Sequence, residues 1–99
     1  GRAVELNGGA EAEALKKTIA GVKNVEIIGE IGVGISDKPP FGGPSEKGKL
    51  GTAHFALGDN CHAYPGGQND CRLHLDGSVR NCTFRVDDTV VVENGEWKL

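Results

Sequence analysis

A chain of 99 residues has room for one small domain, which buries about two thirds of the surface its unfolded form exposes and so builds a modest core. Its 37% hydrophobic and 25% charged residues are ordinary for a globular sequence, and a net charge of -3 without clustered Lys and Arg excludes a nucleic-acid or anionic-membrane surface. No apolar run approaches the ~18 residues that span a bilayer and no signal-peptide pattern opens the chain, so a cytoplasmic protein with no membrane partner is expected.

The predicted elements begin with residues 1–6, which alternate enough for a strand and end at Asn7-Gly8-Gly9, a turn with the makings of a helix N-cap. Residues 10–22 (AEAEALKKTIAGV) are strong helix formers. Ala12, Leu15, Ile19 and Val22 fall on one stripe, and Glu11 and Glu13 precede Lys16 and Lys17, as the helix dipole prefers. Asn24 breaks the helix. Residues 25–35 (VEIIGEIGVGI) then read as a strand in which Gly29, Gly32 and Gly34 signal bulging or close backbone approach. No helix bearing Lys-Ser or Lys-Thr follows these glycines, which argues against a nucleotide loop. Glu30 sits between apolar neighbours, where burying a carboxylate is costly without a cation, so a metal, Lys or Arg is expected beside it.

Residues 36–49 (SDKPPFGGPSEKGK) form a long Pro-, Gly- and Lys-rich loop, either a surface excursion or a lid. Beyond it, residues 52–77 hold all three histidines, between acids, glycines and two cysteines. Thr52 to Leu57 is an apolar run carrying His54. Arg72 to Asp76 alternates, so on a strand His74 and Asp76 project from one face and Leu73 and Leu75 from the other. Two imidazoles and a carboxylate suit zinc, manganese, cobalt or ferrous iron, whereas a solvated strand face and a satisfied core histidine are the plainer alternatives. The intervening loop (GDNCHAYPGGQNDC) also holds His62, to which no role attaches, and Tyr64. Cys61, Cys71 and Cys82 are odd in number and lack Cys-x-x-Cys spacing; reduced thiols are expected, with a Cys/His zinc site as a rival. Residues 82–86 and 89–93 read as strands, and Asn94-Gly95 before residues 96–99 signals a type I′ hairpin. The whole is expected to be an α+β fold, one main helix packed on a twisted, mostly antiparallel sheet with a C-terminal β-hairpin. Trp97 is expected in the core or against a further domain.

Three motifs stand in order: Gly29-Glu30-Ile31-Gly32-Val33-Gly34, then Gly51-Thr52-Ala53-His54-Phe55-Ala56-Leu57-Gly58-Asp59-Asn60 followed by Gly66-Gly67, then His74-Leu75-Asp76-Gly77. Together they resemble the C-terminal metal-binding part of the thermophilic-type metalloaminopeptidases, the leucyl aminopeptidase and aminopeptidase T group. Ser36-Asp37 departs from the asparagine usual there. The resemblance implies Glu30, His54, His74 and Asp76 as ligands of zinc, cobalt or manganese, with Tyr64 as a catalytic residue that hydrogen-bonds a tetrahedral intermediate. It implies peptide substrates cut at their N-termini by metal-activated water. It further implies that residues 1–99 are a single domain from the C-terminal portion of a longer two-domain protein, inactive without its N-terminal partner domain.

The same resemblance covers ring-cleaving dioxygenases of dihydroxypyridine type. There, two histidines and a carboxylate would form a facial triad on ferrous iron and act on a small-molecule substrate. A catalytically silent fragment serving as an assembly module is the third reading, and a homodimer stays open.

Overall fold

Backbone preferences written in the sequence recur as elements in the computed structural model, which describes residues 1–62 and 64–98. In chain order they are α1 (Ala10–Ile19), β1 (Ile28–Val33), a 3-10 turn (Glu46–Gly48), β2 (Ala53–Gly58), β3 (His74–Val79), β4 (Phe84–Val86), β5 (Thr89–Glu93) and β6 (Glu96–Trp97). One helix and two small antiparallel sheets, ordered β1-β2-β3 and β4-β5-β6, make the expected α+β fold. The chain divides into two compact units, Gly1–Glu30 with Ala56–Leu75 and Ile31–Phe55 with Asp76–Leu99.

In the first unit, α1 ends three residues earlier than its composition suggests. Gly21 adopts a left-handed φ of 72°, a conformation that stops a helix and that glycine takes without a Cβ penalty. Gly9, the last residue of that turn, occupies the N-cap position, and no side chain caps the helix. Ile19 from the helix stripe packs with Leu73 and Leu75 against buried Val22, Val25 and Cys71, and this cluster is the unit's core. Residues 1–6 do not form the expected strand. Arg2 makes a single antiparallel bridge to Ile27 and Ala3 N–H donates to Glu26 O at 2.7 Å, but Val4 is 88% exposed, so the alternation buries no face that would hold a longer ladder.

The second unit contains the hairpin. Asn94 (φ 49°) and Gly95 (φ 84°) are both left-handed, as a type I′ turn requires, and they join β5 to β6 with Val92 opposite Trp97. Val92 is fully buried, and the Trp97 indole N–H donates to the Gly34 carbonyl at 3.2 Å. Leu99, where the last strand was expected to end, lies outside the described residues. The 36–49 segment is a pinned surface excursion: Ser36 N–H donates to Gly48 O and Leu50 N–H to Ser36 O, at 2.9 and 2.7 Å. Arg80 grips Glu46 with two guanidinium nitrogens, and both Arg80 and Lys49 lie 5.1 Å from the Phe41 ring centroid. That pairing, with the Gly42 N–H, holds the Glu46 carboxyl down to about 2 from an ordinary 4.5. Among the described residues, no helix is long and apolar enough to cross a membrane.

Candidate metal centre

β3 begins at His74 rather than Arg72 and runs through Gly77 to Val79, with exposed His74 and Asp76 alternating with half-buried Leu75. The period-2 reading of His74 and Asp76 as same-face neighbours therefore holds on a strand shifted by two residues. His74 is gripped from two sides. Its Nδ1 lies 2.6 Å from the main-chain carbonyl of Asp59, and its Nε2 lies 3.0 Å from Oε2 of Glu30.

This geometry fixes the tautomer. A carbonyl oxygen only accepts, so Nδ1 carries the proton, and in the neutral ring Nε2 presents its lone pair toward the Glu30 carboxylate. Two electron-rich groups held face to face call for a proton or a metal ion between them. A histidine whose second nitrogen is tied to a backbone carbonyl is also the usual support of a metal-bound imidazole. With Glu30 largely shielded from solvent, at 12% side-chain exposure, this donor set fits a divalent metal.

The other expected ligands lie in the second unit. His54 is on β2 with its ring over Gly32, where a Cβ would come within 2.2 Å of the ring's Cε1; only glycine leaves room for the imidazole. Asp76 receives the Lys47 ammonium at 3.0 Å, so a metal reaching this carboxylate has to share or displace the lysine. Lys47 carried no sequence signal, since 29 residues separate it from Asp76.

Around Asp59 the first unit has a second group of donors. The nearly buried Asp59 Oδ1 accepts from His62 Nδ1 at 2.8 Å and from the Cys61 thiol at 3.3 Å, and Cys61 Sγ lies 3.3 Å from His62 Nδ1. The His62 ring beside it holds the Asp59 carboxyl well below the usual carboxylate range, and Asp59 in turn raises His62. Burial, then the Asp59 charge, pushes the Cys61 thiol up. Sequence reasoning gave His62 no role of its own and did not single out Asp59; the available signals were the cysteines beside the histidines, which raise a Cys/His zinc site as a rival, and the density of Asn, Asp and Gly between two strands.

A family model described as NicX, 2,5-dihydroxypyridine 5,6-dioxygenase, matches residues 1–98. The chain belongs to the NicX family. No curated protein and no solved structure matches it. Membership overturns the main reading of the sequence as a leucyl aminopeptidase, and with it the terms hydrolase and metalloprotease. The physical reason is plain. Histidine and carboxylate at these spacings serve hydrolytic and oxygen-using metals alike, so the motifs report a metal-ligand set and not a reaction. Tyr64 is 44% exposed between β2 and β3, and the role implied for it came with the peptide-hydrolysis reading.

Proposed function

We propose that this chain carries the iron-binding part of a ring-cleaving dioxygenase acting on 2,5-dihydroxypyridine or a closely related electron-rich hydroxypyridine. NicX membership supports the reaction class. The Glu30–His74–Asp59 arrangement is the single observation that supports a metal here, because it presents Nε2 of His74 to a cation with the ring locked from behind. In this reading His54, His74 and Asp76, the residues that the motifs offer, would be the two histidines and one carboxylate that hold the iron, with Glu30 a further acid. Ferrous iron, when bound, supplies open positions for substrate and oxygen and the one-electron steps that dioxygen requires. Glu30, the carboxylate beside His74, would serve as the base for a proton released as a ring hydroxyl binds. The Asp59 carbonyl keeps the imidazole from rotating, and Lys47 neutralises Asp76 before the metal arrives. Opening the bond between ring carbons 5 and 6 places one oxygen atom on each. The four electrons that O2 takes up come from the ring, and no external reductant is consumed.

The test is an oxygen-uptake assay on the native protein loaded anaerobically with ferrous iron. One O2 should disappear for each ring lost by absorbance, and His74→Ala or Asp76→Ala should remove both iron retention and turnover while the circular dichroism spectrum is unchanged. Iron bound equally well by these two variants, or ring loss without oxygen uptake, refutes the assignment.

A further inference from the structure

Asp59, Cys61, His62 and Asp70 each offer one ligand atom, and these four atoms lie within 4.8 Å of one another. We propose that they form a second cation site, for zinc or an ion of similar softness, that is independent of the iron reading. The donor set argues for this first. Thiol sulfur beside imidazole nitrogen and two carboxylates selects zinc over magnesium, calcium or manganese, which take oxygen ligands.

Geometry argues second. Tetrahedral zinc with bonds of ~2.0 Å to oxygen and nitrogen and ~2.3 Å to sulfur sets neighbouring ligands about 3.3 to 3.6 Å apart. The face made by Asp59 Oδ1, His62 Nδ1 and Cys61 Sγ has edges of 2.8, 3.3 and 3.3 Å, so it needs to widen by only a few tenths of an ångström. Four protein ligands of this kind would make a closed, structural site.

The loop is also built to hold its ends together. Asp59 N–H donates to Leu73 O at 2.8 Å, Asn60 N–H to Asn69 O at 3.1 Å, and Asn69 N–H to Asn60 Oδ1 at 2.9 Å. These bonds bring Asp70 back beside Asp59 across a gap of eleven positions, and Asn69 is fixed further by its amide donating to Gly58 O at 2.7 Å. An entry path exists because Asp59 is buried whereas His62 and Asp70 face solvent. A dication also reverses the local electrostatics. Beside two carboxylates it favours the Cys61 thiolate as a ligand.

Cobalt(II) tests the proposal because a thiolate ligand gives a sulfur-to-metal charge-transfer absorption that a histidine and carboxylate site lacks. The native protein, reduced and metal-free, should develop this absorption to one equivalent, with tetrahedral ligand-field bands, and lose it on adding zinc. Cys61→Ser should abolish it although Cys71 and Cys82 remain. Asp70→Asn should weaken cobalt binding by at least about tenfold, a loss that even an outer-shell partner carries. Asp76→Ala should leave the absorption intact. His62→Gln, at an exposed position, supplies a second ligand variant that does not threaten folding and should shift the ligand-field bands. Absence of the charge-transfer absorption in the native protein, or its persistence in Cys61→Ser, overturns the proposal.

Discussion

Replacing Gly32 with alanine adds one methyl group, and its consequences follow from a single distance. The new Cβ would sit 2.2 Å from Cε1 and 2.5 Å from Nε2 of His54. Ordinary carbon–carbon contact begins at about 3.5 Å, so the ring has to retreat by roughly 1.3 Å or rotate away. A functional ligand set tolerates about 0.5 Å of displacement, so the retreat exceeds that tolerance more than twofold. Gly32 lies on β1 outside the left-handed region, so alanine meets no backbone penalty there and the whole effect travels through the imidazole. Overpacking of this sort costs about 1 to 3 kcal/mol, seen as a lowered Tm in thermal denaturation. If His54 binds iron, ferrous affinity should fall by at least about tenfold, measured by anaerobic competition with a chromophoric chelator. His54 ring resonances in the NMR spectrum should move in the same variant. Iron affinity within twofold of native, with those resonances displaced, would show that His54 is not a ligand. Unmoved resonances would refute the steric argument itself.

The other predictions concern stability. Glu46 is held at about 2 by Arg80, so its contribution is fully present above the ordinary carboxylate value of 4.5 and is lost as pH falls toward 2. In acid titrations followed by circular dichroism, Glu46→Gln should be less stable than native at neutral pH, and the difference should close at the acid end; a constant difference would mean that the charge pair is not responsible. Gly95→Ala puts a Cβ on a residue with φ of 84° in the type I′ turn and should cost roughly 1 to 2 kcal/mol in urea unfolding, whereas an unchanged midpoint would mean that the turn is not held in that conformation.

The sequence made the local features legible and left the distant ones hidden. Helix formers and charge order placed α1 to within a few residues, and Asn94-Gly95 marked the hairpin because left-handed backbone has so few residue types available to it. The two-residue slip in β3 arose because Arg72 and Leu73 continue the alternation of polar and apolar residues, while the ladder itself starts at His74. Glu30 and His74 were both singled out, but their 3.0 Å approach joins positions 44 residues apart that share no local pattern. Lys47 acts through a contact of the same distant kind, 29 residues from Asp76, whereas the Asp59 side chain works on its near neighbours Cys61 and His62. Residue types that suit a metal were legible; the reaction was not, because such donors do not by themselves choose a chemistry.

The grip on His74 comes from a carbonyl oxygen of the main chain. Every amino acid carries that atom. Side-chain scanning at position 59 would remove the carboxylate and leave the carbonyl, so the anchor would register as dispensable however much depends on it. Exchanging the residue at 59 would then leave the imidazole unrotated even as it removed the carboxylate, so the orientation of a key side chain rests on backbone shape and not on the identity of the residue that supplies it. Only backbone chemistry, such as an ester in place of the amide that follows residue 59 to weaken the carbonyl as an acceptor, would expose the debt.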